Sequence, residues 1–253
     1  MSDVLLDVTD GIATVTMNRP QCRNALNGSL CEALAQAFAD IVSRDDIKVG
    51  IITGSGSSFC SGMDLKAFAR GENISSRGLP MGVDQRIDID KPMIAAVEGY
   101  AIAAGFELLG FCDIVVAGRS AKFGLSEVKR GLIPAGGGLL WLARQAPARL
   151  VNEWILTGDE IDADTLLRHG VINRICDDHQ ALNVARDMAL RISANGPLAL
   201  AACKRILRES PNWTVREMFE RQQPSVEAIF ASADAREGAT AFAQKRLPAW
   251  QGR

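Results

Sequence analysis

The sequence predicts an α/β protein that ends in a helical region, and three observations predict it. Short β-rich runs alternate with small-residue turns and helical patterns through residues 1–195. From Pro147 onward helical periodicity takes over, and the composition shifts again after Asn195. The spacing of strand, turn and helix is too irregular for a doubly wound nucleotide-binding fold. Residues 1–195 are therefore expected to form the α/β core with the active site. Residues 196–253 are expected to form a helical oligomerisation region docked on that core or on a partner subunit.

The elements follow in order. Val4 to Val8 and Ile12 to Met17 are β-rich runs joined at Asp10-Gly11, a strong turn dipeptide, and Asn18-Arg19-Pro20 closes this hairpin. Ser29-Leu30-Cys31-Glu32 has the pattern of a capping box, after which Leu34, Phe38, Ile41 and Val42 recur at helical spacing. Lys48 to Thr53 reads as a buried strand running into the turn Gly54 to Ser58. Residues 67–91 are polar, carry several Gly and Pro and lack periodicity, so a helix-poor, mobile segment beside a site is expected there. Pro92 to Val97 is the next strand, a short helix holds Glu107, and Asp113 to Ala117 is a strand again. Helices are expected over Arg149 to Leu156, Asp162 to His169 with Gly170 at its end, Gln180 to Ser193, Pro197 to Arg208, Thr214 to Ala231 and Asp234 to Gln244.

Composition narrows the function. With 253 residues the chain can bury a substantial core. Its 28 Lys and Arg against 30 Asp and Glu leave a formal charge of −2, which argues against a nucleic-acid partner. No basic patch suits an anionic membrane, and no apolar run is long enough to span one. The start of the chain lacks the charged and apolar regions of a signal peptide. Six scattered cysteines without CxxC spacing read as reduced, mostly buried thiols, so a cytoplasmic location is expected.

Common motifs are missing. Gly54 to Phe59 begins like GxGxxG but has Phe59 where the third glycine belongs, and there is no phosphate loop, GxSxG elbow or HExxH. Only His169 and His179 are present, which leaves no basis for a Ser–His triad or a His-rich metal site. What remains are two carboxylates and two sets of main-chain donors. Glu107 and Glu127 each follow small residues inside apolar runs, where a carboxylate is rare unless paired or used. Phe59 to Leu65 and Ala103-Ala104-Gly105 each lead into a helical turn with free amide N–H groups. Two such amides converging on one oxygen would make an oxyanion hole suited to an enolate.

The set FCSGMDL, AVEGYAIAAGFEL, CDIVVA, AKFGLSEVKRGLIPAGGG and EGATAFAQKR resembles the enoyl-CoA hydratase/isomerase (crotonase) superfamily over nearly the whole chain. That resemblance implies a spiral of ββα turns with a helical trimerisation region. It implies an acyl-CoA thioester substrate, no metal or redox cofactor, and a homotrimer or dimer of trimers. It places the oxyanion amides at Met63 and Ala104. Glu107 and Glu127 fall where the family's hydratases keep both catalytic glutamates, Glu107 as base and Glu127 as acid, which favours addition or removal of water. It places the CoA moiety along Arg23 to Leu26, with Arg23 and Ala25, and along Ser61, Gly62, Asp64 and Leu65. Tyr100 lies in the second oxyanion motif, Pro134 is expected to shape the acyl pocket, and Lys245 is expected to reach a CoA on a neighbouring subunit. Two departures bear on substrate preference: Ala103-Ala104 stands where many relatives have glycines, and Met63 stands where alanine is frequent. Trp141 and the 67–91 segment are expected to influence the same preference. Alternatives on this scaffold are a specialised hydroxyacyl-CoA dehydratase, an enoyl-CoA isomerase, or a non-catalytic acyl-CoA or RNA-binding relative.

Overall fold

In the computed structural model, which describes residues 2–72, 74 and 89–253, the chain opens with strands β1 (Val4–Thr9) and β2 (Ile12–Met17). They pair antiparallel across Asp10-Gly11, both residues with positive φ, as a tight hairpin turn of this sequence requires. Helix α1 (Gly28–Ser43) follows, then β3 (Val49–Gly54), α2 (Leu65–Ala69), β4 (Met93–Val97), β5 (Tyr100–Ile102) and α3 (Ala104–Glu107). Next come β6 (Ile114–Gly118), β7 (Lys122–Gly124), α4 (Gly138–Gln145), α5 (Ala148–Thr157), β8 (Ile161–Asp162), α6 (Ala163–Arg168) and β9 (Arg174–Cys176). Helices α7 (Ala181–Ser193), α8 (Pro197–Glu209), α9 (Met218–Ala231) and α10 (Ala233–Ala243) complete the chain.

A six-stranded sheet runs in the order β1-β2-β3-β4-β6-β9, parallel except for the opening hairpin, and a smaller sheet runs β5-β7-β8. Each turn of the chain visits both. From β4 it passes to β5 and then α3; from β6 it passes to β7 and then a 3₁₀ turn, Glu127–Arg130. The first turn goes from β3 to an extended piece, held by bridges Cys60–Ala101 and Leu26–Met63, and then to α2. This is the spiral of ββα turns expected from the resemblance. Its consequence is functional, because the end of the second strand in each successive turn delivers Met63, Ala104 and Glu127 to one side of the molecule.

The large sheet is buried on both faces, as its near-continuous apolar strands require. Residues such as Val15, Ile52, Ala95 and Val115 face the main core with α1. Alternate residues Ile51, Ile94, Ala96 and Val116 face α7, whose Ala181, Ala185 and Ala189 allow close approach. Helix α8 docks through a half-buried ion pair, Lys204 to Asp113 at 2.8 Å.

Several expectations need correction. Helix α1 is capped by Asn27, whose side chain accepts from Leu30 N–H at 3.0 Å, not by Ser29. Asn27 has the extended backbone of an N-cap, and Ser29 already lies in the first turn. The segment 67–91 opens with the end of α2, and its central stretch lies outside the described residues. The cysteines are all free thiols, but only Cys31 and Cys60 are fully buried. Helix α2 is the helical turn expected after Phe59 to Leu65, whereas the strands β5, β7, β8 and β9 and helix α4 had no separate sequence signal; most are too short to show a period.

Candidate active site

The site is built where the first two spiral turns touch. Gly105 stacks directly on the Cys60 peptide: a methyl group there would lie 2.2 Å from the Cys60 carbonyl oxygen. Gly62, with φ +92°, lies close to Ala103, where a methyl in its place would come within 2.7 Å of the Ala103 Cβ. These contacts set the Met63 and Ala104 amides side by side. Neither N–H donates to any described residue, whereas Asp64 N–H next door donates to Leu26 O at 2.8 Å. Both residues line one cavity of about 420 Å³, so their free amides are available to a bound oxygen. Ala103 pays for the arrangement with φ +53° and ψ −127°, a conformation that suits glycine.

Both glutamates line the same cavity. Glu107, at the end of α3, is 4% exposed, and its Oε1 accepts from Gly136 N–H at 2.8 Å and Gly138 N–H at 2.9 Å. A side chain at Gly138 would collide with the Glu107 Cγ, so the run Pro134 to Gly138 serves as a close-fitting cradle of amides. Burial pushes the Glu107 carboxyl above the usual range, and the two amides work against that by stabilising its anion. Glu127 opens the 3₁₀ turn, and its buried Oε2 has no partner among the described residues. Burial first, and the charge of Glu107 in addition, push it up to about 7. The two carboxyls are thus differentiated: one carries two main-chain donors that favour its anion, the other lacks such donors on its buried oxygen and is poised to exchange a proton near neutral pH.

The remaining expected residues divide. Ser61 and Leu65 line the catalytic cavity, and Leu26 and Cys31 join them. Arg23 and Tyr100 line an adjoining cavity of about 270 Å³, with the Arg23 guanidinium 5.0 Å above the Tyr100 ring. Gly62 acts as the spacer against Ala103 described above. Asp64 is occupied otherwise: it caps α2 through Lys66 and Ala67 N–H and pairs with Arg19 at 3.3 Å. Burial opposes its ionisation, but those donors hold it below its ordinary range. Ala25 is buried, and its carbonyl accepts from Arg19. Pro134 is itself buried, while its neighbours Ile133 and Ala135 face the cavity. Trp141 sits behind the cavity wall, packed edge-on against Phe106 at 5.4 Å and against Gly110. Lys245 lies exposed after α10 and lines neither cavity of its own chain.

Sequence reasoning missed Asn24, which is fully buried and ties the Arg23 loop to the Gly54 turn, donating to Ser55 O at 3.0 Å and Ser58 O at 2.7 Å. It also missed the amides that hold Glu107, although the small-residue run Pro134 to Gly138 carried that signal.

Comparison with known proteins places the chain in a family. The enoyl-CoA hydratase/isomerase family model matches residues 7–253. The chain belongs to that family. It is 42% identical to enoyl-CoA hydratase EchA19 of Mycobacterium tuberculosis, over 99% of this chain and 97% of the relative. It is 39% identical to a carnitinyl-CoA dehydratase of Salmonella enteritidis, over 96% and 95%. Among solved structures, an enoyl-CoA hydratase from Mycobacterium tuberculosis superposes with a TM-score of 0.95 at 44% identity, each chain covered fully. Enoyl-CoA hydratase EchA1 from Mycobacterium marinum superposes with a TM-score of 0.94 at 45% identity, again over both whole chains. Among the described residues no helix is long and apolar enough to cross a membrane.

Proposed function

We propose that this protein is an enoyl-CoA hydratase, adding water reversibly across the α,β double bond of an acyl-CoA thioester. The observation that carries this reading is the pair of buried carboxyls, one hydrogen-bonded by two main-chain amides and one with an unpartnered oxygen, in the cavity that also holds two free amides. The thioester oxygen lies between the Met63 and Ala104 N–H groups. Glu107 takes a proton from water as the water oxygen bonds to Cβ, and the π electrons move toward Cα to give an enolate. The oxyanion then draws charge onto the two amides, worth on the order of 3–4 kcal/mol for a well-aligned donor. Glu127 delivers its proton to Cα, and the electron pair of the enolate forms the new C–H bond. Acid and base are reset when a proton passes back from Glu107 to Glu127. Each proton transfer by a positioned carboxyl contributes a factor of about 10²–10⁴. Run backwards, the same groups dehydrate a 3-hydroxyacyl-CoA.

No metal or redox cofactor enters this scheme, since two carboxyls and two amides account for every proton and charge. We also propose assembly as a homotrimer or dimer of trimers. The C-terminal helices support it: Phe219, Phe230, Phe242 and Leu247 are 71%, 80%, 87% and 89% exposed in the single chain, an apolar surface that calls for a partner. In such an assembly Lys245, beside Phe242, would reach the CoA of a neighbouring subunit. A cytoplasmic setting suits six free thiols.

A panel of enoyl- and 3-hydroxyacyl-CoA substrates, followed through the conjugated thioester chromophore, tests the reading. Hydration of 2-enoyl-CoAs is expected. Turnover confined to one specialised hydroxyacyl-CoA, or migration of the double bond without water uptake, would replace it with the corresponding alternative.

A further inference from the structure

The Met63 amide owes its direction to a very short piece of strand pairing. Leu26 and Met63 form a single parallel bridge, in which Leu26 N–H donates to Gly62 O and Asp64 N–H donates to Leu26 O, each at 2.8 Å. The N–H groups of successive extended residues point to opposite edges of a strand, so this register is what turns Met63 N–H away from Leu26. A slip of one residue would reverse it. Two hydrogen bonds are little to hold a register, and Gly62 inside the bridge has φ +92°, a conformation that resists slippage no better than any glycine does.

Arg19 braces the bridge from outside. Its guanidinium donates through Nη1 to the Ala25 carbonyl and through Nη2 to Asp64 Oδ2, the latter at 3.3 Å. Ala25 precedes Leu26 and Asp64 follows Met63, so one planar fork spans both strands of the bridge. The two side chains are only 14% and 15% exposed, which limits competition from water. Asp64 divides its oxygens. Oδ1 accepts from Lys66 N–H at 3.2 Å and Ala67 N–H at 3.1 Å, which leaves Oδ2 for Arg19. Arg19 is fixed in turn at its own backbone, whose N–H donates to the buried Asn24 Oδ1 at 2.8 Å. Neither Arg19 nor Asp64 lines the catalytic cavity or the chamber beside it, so any effect on the reaction passes through the backbone. We propose that Arg19 and Asp64 are a positioning pair: their ion pair, with the Arg19–Ala25 hydrogen bond, locks the Leu26–Met63 register and aims the Met63 amide at the thioester oxygen. The inference rests on the acyl-CoA reading above.

Asp64→Asn removes the charge yet keeps an equally good helix cap, and Arg19→Met keeps the bulk without the fork. These variants, their double and Arg19→Lys are compared with wild type by hydration of but-2-enoyl-CoA, with thermal unfolding alongside. A second readout is the apparent pKa of bound acetoacetyl-CoA, whose enolate absorbs in the near ultraviolet and shares its charge with the thioester oxygen. An aligned oxyanion donor is worth about 10²–10³ in kcat and a misaimed one forfeits part, so each single variant should lose about tenfold in kcat with KM little changed. The bound enolate's apparent pKa should rise by about 1 with it, since both express the same free energy. The double variant should be no slower than the slower single one, and Arg19→Lys should fall between. Glu72→Ala is the structural control. Glu72 accepts from Gly28 N–H at 2.8 Å and so ties the same segment down beyond the bridge; its loss should lower thermal stability and leave the enolate's pKa unchanged. Wild-type kcat in both single variants, a loss in kcat without the rise in pKa, losses that multiply in the double, or an equal rise in Glu72→Ala would each overturn the pair. Should Arg19→Met not fold, Asp64→Asn decides by the same two readouts. If wild type hydrates no enoyl-CoA, the hydratase reading fails by itself and the enolate measurement still decides the pair. A wild type that leaves the bound thioester's pKa at its free value would overturn the oxyanion hole and the pair together.

Discussion

Gly105→Ala offers the sharpest test of how the oxyanion amides are set. The added methyl would sit 2.2 Å from the Cys60 carbonyl oxygen, where ordinary contact begins at 3.4 Å, so a shortfall of 1.2 Å must be relieved. Neither side yields easily. The obstacle is backbone, and Cys60 is pinned between its bridge to Ala101 and hydrogen bonds to Tyr100 and Ile102. The relief must therefore come largely from α3, which carries both the Ala104 amide and Glu107. Displacements of about 1 Å at a reacting centre cost about 10²-fold in rate, equivalent to about 2.7 kcal/mol of barrier. The overpacking itself should cost about 1–3 kcal/mol of stability, partly offset by about 1 kcal/mol from alanine's higher helix propensity. Steady-state hydration of but-2-enoyl-CoA, with thermal unfolding measured alongside, checks both figures. The expected result is a folded variant with kcat down about 10²-fold and KM little changed. Near wild-type kcat would refute the claim that the Gly105–Cys60 contact places the oxyanion hole.

Three further predictions concern Glu127 and Ala103. Hydration needs Glu127 protonated, so kcat/KM should fall with rising pH above an apparent pKa of about 7, and Glu127→Gln should abolish that limb. The same group bears on stability. Its pKa is raised on folding, so its contribution is full below 4.5 and is lost as pH rises through about 7; thermal melts of Glu127→Gln should show a weaker decline over that window. Ala103→Gly should relieve the φ +53° strain and raise stability by roughly 1 kcal/mol, read as a shift in urea midpoint, because strain of this kind costs about 1–3 kcal/mol and glycine's added freedom when unfolded returns part of it.

Much of this was legible in the sequence, for identifiable reasons. The long strands β2, β3, β4 and β6 announced themselves as apolar runs because both faces of their sheet are buried. Glu107 and Glu127 stood out because charge in apolar surroundings is improbable without a use. The 3₁₀ turn of Arg130 and the strands β5, β7 and β8 were not legible, since two to four residues cannot display a period. The Ser29–Glu32 pattern misled because Asn27, an equally good cap, stood two residues earlier. Asp64 looked like a binding residue in its motif, but its chemistry is spent on α2 and Arg19, a partner 45 positions away. The amides that hold Glu107 come from Gly136 and Gly138; the small-residue run hinted at a close approach, but the partner lies 29 and 31 positions away, beyond the reach of any local rule. Trp141 was expected to influence substrate preference. The packing of Phe106 and Gly110 instead turns it away from the cavity.

The central claim is that two carboxyls in different hydrogen-bond environments, facing two free amides, add water to an enoyl thioester. Its most direct test is the hydration rate of but-2-enoyl-CoA by wild type, Glu107→Gln and Glu127→Gln, with thioester binding measured separately by calorimetry. Rapid hydration by wild type is predicted, with each variant slowed by about 10²–10⁴-fold while still binding the thioester. Hydration at near wild-type rate by either variant would contradict the account.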